Sequence, residues 1–260
     1  MSAAIRVETE DGIRTVTVDR SEKLNALNTE VMEALDAAFA EAAGDDSLRC
    51  LIVTGAGEKA FIAGADIGEL AKLSPIGGYA HARRGQAVLD RLERMPVPTI
   101  AAINGYAYGG GLELAMACAL RVASENAKMG LPETSLGILP GYGGTQRLAR
   151  LVGTARAMEL VLTAEKGVTA AEAHRIGLVN RVVPAGQALS GARELARRIA
   201  SNGPAACRHA MESIRRGMEM PLSEGLLLEA TLFGLCAATE DMKEGMTAFL
   251  EKRPARFTGR

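Results

Sequence analysis

Two continuous apolar runs, LRCLIVTG at residues 48–55 and VPTIAAING at residues 97–105, constrain this chain more than any other feature. Neither alternates with polar residues, so each reads as a strand buried on both faces, as in a covered parallel sheet. Between them, residues from about Tyr79 to Met95 read as a helix that Pro96 and Pro98 stop. Strand, helix, strand in that order predicts an α/β body with crossover connections, and the alternation alone suggests a doubly wound sheet. Upstream, IRVETE and IRTVTVDR flank Asp11-Gly12, a hairpin signal, and Val31, Leu35, Ala38, Phe39 and Ala42 recur at helical spacing behind a cap at Asn28 or Thr29. Beyond Asn202-Gly203-Pro204 strand signals vanish, and helices are predicted around Pro204 to Gly217, Leu222 to Ala237 and Asp241 to Leu250. The chain thus divides into an α/β body, 1–201, and a helical portion, 202–260.

Aromatic poverty limits what such a body can bind. With no Trp, five Phe and four Tyr, the core must be built from Ala, Leu, Val, Ile and Met, and base-stacking surfaces are disfavoured. A formal net charge of -1 gives no global field for nucleic acid or an anionic membrane. Cys50, Cys118, Cys207 and Cys236 lie far apart with apolar neighbours, and no C-x-x-C occurs, while His81, His174 and His209 are isolated. That pattern points to reduced thiols in a cytoplasmic protein and to no metal site. The first residues, MSAAIRVETEDG, lack the basic and apolar regions of a signal peptide, and no apolar run reaches the length of about 18 residues that a membrane span needs.

Several glycine-rich segments imitate known loops. Residues 55–60, GAGEKA, fit the dinucleotide fingerprint after a strand, but the chain continues as FIAGAD instead of opening a helix, and no acidic residue closes a second strand. GYGGTQR, residues 141–147, lacks the Gly-Lys-Ser/Thr of a phosphate loop. No nucleophile elbow is present, and no histidine lies in a glycine-rich segment.

Glu113 stands out because GLELAMACAL surrounds it with apolar residues, Met116 and Ala117 sharing its helical face. A buried carboxylate costs several kcal/mol or shifts its pKa upward, so the position suits an acid or base. On these residues alone, a core charge paired with an arginine accounts for it equally well. Just upstream, Gly109, Gly110 and Gly111 fall where a helix starts, placing free N–H groups at the positive end of its dipole, where a developing oxyanion is stabilised. Glu133, in LPETSLGILPG, lies in loop-like sequence; by itself it reads more simply as a surface helix start. Two carboxylates with backbone donors would suit proton transfer beside a carbonyl, or addition of water across a conjugated bond.

At this point the chain resembles the crotonase, or enoyl-CoA hydratase, family. The likeness runs through KLNAL (23–27), KAFIAGADI (59–67), PTIAAINGYAYGGGLELAMAC (98–118), LPETSLGILPGYGGTQRLARLVG (131–153), AHRIGLVNRVV (173–183) and EGMTAFLEKRPARF (244–257), in that order. It implies the crotonase (ClpP-like) α/β spiral of repeated ββα units with a C-terminal helical region, assembled as a homotrimer or as a hexamer of paired trimers. The implied ligand is an acyl thioester of coenzyme A, itself the substrate, with no cofactor and no metal.

Carried over by position, the resemblance makes Ala65 and Gly110 N–H the oxyanion hole. Glu113 and Glu133 become the two catalytic glutamates holding one water, with Gly141 lining the site near it and Gly109 and Pro132 beside the pair. The coenzyme would pass Lys23, Leu24 and Ala26 and run along Ala63, Ala65, Asp66, Ile67 and Gly68. Phe249 and Lys252 would complete a neighbouring protomer's nucleotide site, and Lys59 would reach a phosphate. Gly68 departs from the family, where a basic residue often follows AGADI. Retention of both glutamates favours hydration over double-bond isomerisation, while the LPETSLGILPG pattern suits short-chain crotonyl-CoA hydratases and branched relatives such as methylglutaconyl-CoA hydratases alike. Neutral net charge and few aromatics disfavour a non-catalytic acyl-CoA or RNA binding role.

Overall fold

The computed structural model describes residues 4–260. Strands β1 (Ile5–Glu10) and β2 (Ile13–Val18) form the opening antiparallel hairpin. Its turn residues, Asp11 and Gly12, have φ of 50° and 73°, the left-handed pair that a tight hairpin of native twist requires. Helix α1 (Thr29–Ala43) follows, with the Asn28 side chain accepting from Val31 N–H at 2.9 Å as its N-cap.

Three successive units then each send one strand to each of two sheets. The first comprises β3 (Cys50–Gly55), β4 (Ala60–Ile62), the short α2 (Ile67–Leu70) and α3 (Pro75–Glu93). The second comprises β5 (Thr99–Ile103), β6 (Tyr106–Tyr108) and α4 (Gly110–Ala117). The third comprises β7 (Leu120–Ser124), β8 (Lys128–Gly130), α5 (Gly144–Val152) and α6 (Thr154–Leu162). After β9 (Val168–Thr169), α7 (Ala170–Arg175), β10 (Arg181–Val183) and α8 (Ala188–Ala200), the sheets read β1-β2-β3-β5-β7-β10 and β4-β6-β8-β9. All neighbours are parallel except the outer pairs β1–β2 and β8–β9. This is a ββα spiral, not the doubly wound sheet that simple alternation suggests. The difference arises because β4, β6, β8 and β9 are only two or three residues long and carry no periodicity of their own.

Both faces of the larger sheet are covered, which explains the unbroken apolar runs. Cys50 and Ile52, with Ile100, Ala102 and Val122, meet Ala188, Ala192 and Ala196 of α8, small residues four apart that let the helix lie close. The alternate residues Leu51 and Val53 point into the main core with Phe39, Leu89 and Leu114. Cys50 and Cys118 are buried in these layers, and all four cysteines are free.

Helix α9 (Pro204–Gly217), α10 (Leu222–Ala237) and α11 (Glu240–Leu250) complete the chain. Much of their apolar surface is uncovered, including Met218, Phe233 and Phe249 at 83%, 75% and 82% exposure. No single helix among the described residues is long and apolar enough to cross a membrane.

Asn25 ties the spiral together beneath the site. Fully buried and in left-handed conformation at φ 59°, it donates to Ala56 O and Ala60 O and accepts from Arg20 N–H. Asn104 Nδ2 caps the same segment, reaching Gly55 O and Gly57 O. The GAGEKA segment is therefore a strand-to-strand turn closed by side-chain amides, and it does not open the helix that the dinucleotide fingerprint requires. Asn25→Ala should lower unfolding free energy by about 2–4 kcal/mol, because two buried carbonyls lose donors and Ala tolerates left-handed backbone poorly; urea denaturation measures this.

Candidate active site

A cleft of about 860 Å³ opens between the 63–74 segment, α3, the start of α4 and the 132–146 segment. Its walls are mostly apolar, and among the described residues that line it there is no lysine or arginine.

Ala65 and Gly110 both line it. Leu27 bridges to Ala65, donating to Gly64 O at 2.9 Å and accepting from Asp66 N–H at 2.8 Å. In an extended chain successive N–H groups alternate sides, so Ala65 N–H is turned away from Leu27. Gly110 is the first residue of α4, where an N–H has no acceptor within the helix. Gly109 precedes it at φ 51°, and a Cβ there would lie 2.7 Å from Glu133 Oε1, so both the bend and the carboxylate require glycine.

Glu113, one turn into α4, is 2% exposed. Its Oε1 accepts from Tyr142 N–H at 2.8 Å and Gly144 N–H at 2.7 Å. Burial pushes its pKa up to about 7, against the two hydrogen bonds and with some help from the charge of Glu133. Neither simple reading of the sequence is complete: the carboxylate has no arginine partner in contact, yet it is firmly held. Arg147 acts at a remove, donating to Tyr142 O at 2.9 Å while bound to Glu93 and Asp90 of α3. At the other end of α4, the buried Arg121 donates to Cys118 O and Leu178 O, both at 2.7 Å, and so satisfies the helix C-terminus.

Glu133 begins a short 3-10 turn, Glu133–Leu136, with Pro132 before it. Burial raises its pKa, its Oε2 is buried without a hydrogen-bond partner, and the residue lines the same cleft. The two carboxylates are close enough that Glu133 raises the pKa of Glu113.

Of the remaining predicted contacts, Ala63, Ile67, Gly109, Pro132 and Gly141 also line the cleft. Asp66 caps α2 by accepting from Gly68 N–H at 3.0 Å. Lys23, Leu24 and Ala26 lie alongside, since Leu24 O accepts from Ala63 N–H at 3.1 Å. Phe249 and Lys252 stand apart from this chain's cleft, exposed at the end of α11, as does Lys59 on its turn. Sequence reasoning missed Tyr142, Gly144, Arg147 and His81. The glycine spacing in PGYGG marked a tight loop, but nothing in it indicated that the loop's N–H groups serve Glu113.

The family model for enoyl-CoA hydratase/isomerase matches residues 8–260. The chain is 46% identical over 247 residues to the short-chain-enoyl-CoA hydratase of Clostridium acetobutylicum, covering 95% of this chain and 94% of that one. It is 45% identical over 253 residues to the crotonyl-CoA hydratase of Syntrophomonas wolfei, covering 97% of each. The crystal structure of an enoyl-CoA hydratase from Bacillus anthracis superposes with a TM-score of 0.95 at 40% identity, covering 99% of this chain and 100% of that chain. The chain therefore belongs to the enoyl-CoA hydratase/isomerase family and has the crotonase fold.

A raised carboxylate pKa has a stability signature. Between the ordinary value of 4.5 and about 7, the folded state holds the Glu113 proton more tightly than the unfolded state, so this group makes stability fall as pH rises through that window. Glu113→Gln keeps an oxygen for both N–H donors and removes the buried charge. Its unfolding free energy should exceed the parent's at pH 8, by up to about 3 kcal/mol, with the gap closing toward pH 5; urea titrations at both pH values measure it.

Proposed function

We infer that this chain is a hydro-lyase of the enoyl-CoA hydratase class, adding water reversibly to a short-chain trans-2-enoyl-CoA to give the 3-hydroxyacyl-CoA. The observation that carries this is the meeting of one buried and one half-buried glutamate, both with raised pKa, with Ala65 and Gly110 in one cleft. Ala65 and Gly110 N–H hold the thioester oxygen, and enolate charge growing there is worth roughly 3–4 kcal/mol per good donor. Glu113, ionised, takes a proton from water while the water oxygen bonds to the β carbon. Glu133, whose pKa burial raises, carries the proton in the reacting state and gives it to the α carbon. The exchange leaves Glu113 protonated and Glu133 ionised, and the shared water position lets the proton return.

The coenzyme follows Lys23, Leu24 and Ala26 and then Ala63 to Gly68, where the KLNAL loop and the α2 cap run side by side. Phe249 and Lys252 serve a neighbouring protomer. Support for assembly as trimers, paired into hexamers, comes from the uncovered apolar residues of α9 to α11, Ile214, Leu227 and Leu250 among them. Buried free thiols support a cytoplasmic setting.

The cleft itself favours an uncharged acyl group. A methylglutaconyl-type substrate would bring a second carboxylate, but no lysine or arginine lines the cleft among the described residues, and burial lowers the pKa of His81. An isomerase needs no second acid poised beside Glu113, and a net charge of -1 gives RNA little purchase.

Purified protein should hydrate crotonyl-CoA without added metal or nicotinamide. Glu113→Gln and Glu133→Gln should each lower kcat by about two to four orders of magnitude while saturated acyl-CoA still binds; full activity in both variants would refute the reading. Sedimentation should give a trimer or hexamer, and a monomer at micromolar concentration would contradict the assembly.

A further inference from the structure

We propose that Tyr142 and His81 form the end wall of the acyl pocket and set the upper limit on acyl-chain length; this rests on the hydratase reading above. Tyr142 N–H holds Glu113, the residue that serves the β carbon, and both residues line the cleft, which puts Tyr142 close to where the acyl chain would continue. The ring is 4% exposed and wedged between α3 and α4. A Cβ added at Gly85 of α3 would lie 2.2 Å from its ring carbons, and one added at Gly110 would lie 3.4 Å away, so glycine on both sides makes the slot that the ring fills.

Polar latches hold the wall shut. Tyr142 Oη lies 2.6 Å from His81 Nε2, with the two rings 5.4 Å apart. Gln86 Nε2 donates to Gly141 O at 2.9 Å, and a Cβ at Gly141 would be 3.7 Å from Ala82 Cβ. From His81 to Gln86, α3 thus meets residues 141–142 along a continuous seam, with the exposed Arg83 and Arg84 on its solvent side. A short acyl group ends in front of this seam. A longer one meets a ring that cannot yield without breaking a half-buried hydrogen bond. The latch is made by side chains, whereas Glu113 is held by backbone N–H groups.

The test compares competition binding of saturated butanoyl- and decanoyl-CoA, with turnover of crotonyl- and decenoyl-CoA alongside, in the parent, Tyr142→Ala and His81→Ala. The parent should favour the short ligands. Each methylene that gains an apolar berth is worth about fourfold, so both variants should raise the decanoyl-to-butanoyl affinity ratio by at least about tenfold. His81→Ala gives the same readout should Tyr142→Ala fail to fold. A parent that prefers decanoyl-CoA, or a ratio unchanged in variants that still bind butanoyl-CoA, would overturn the wall. A ratio that shifts in a protein whose parent hydrates no enoyl-CoA would uphold the wall and remove the hydratase reading instead.

Discussion

The grip of two backbone N–H groups on one oxygen of Glu113 is the interaction on which the site depends. Each hydrogen bond to an ionised group contributes about 1.5–3 kcal/mol, whereas removing a carboxylate from water costs several kcal/mol even after relaxation. Desolvation wins by a modest margin, so the group titrates near 7 instead of being locked either as an anion or as an acid. A carboxylate in that range can both take and return a proton at neutral pH. A paired arginine would have stabilised the anion and removed that property.

Much of the surrounding architecture serves to keep those N–H groups in place, and the positive charge of Arg147 is the weakest of the influences on the Glu113 carboxyl. Arg147 holds the Tyr142 carbonyl, but its charge is largely engaged by Glu93 and Asp90. Gly144 has no side chain because a Cβ there would lie 2.9 Å from Glu113 Oε1. Gly111 meets a similar limit, since its Cβ would lie 2.1 Å from Ile62 O, and so α4 sits directly on β4. That contact brings Gly110 at the start of α4 and Ala65, three residues past β4, to the same cleft. Ala65, Gly110 and the carboxylate pair are thus positioned by backbone contacts, which hold their geometry better than long side chains would.

The long elements were legible because their cause is local. Asn28 capping α1, the Asp11-Gly12 turn, and the three C-terminal helices follow from propensity and punctuation within a few residues. The second sheet was hidden, since Ala60–Ile62 and Tyr106–Tyr108, at three residues each, are shorter than the run of about four over which alternation can be counted. Glu113 was conspicuous as a lone charge in apolar sequence, whereas its donors were not, because a backbone N–H has no signature in a one-letter code. His81 lay beyond reach for another reason: only tertiary packing of α3 brings it to Tyr142, sixty-one residues away.

A pH profile of kcat/KM for crotonyl-CoA tests the central claim most directly, because it reports the ionisation of the free protein's essential base. The account predicts an acidic limb governed by an apparent pKa near 7, belonging to the coupled glutamate pair. A profile that stays flat from pH 8 down to about pH 5, as an ordinary solvated carboxylate would give, contradicts it.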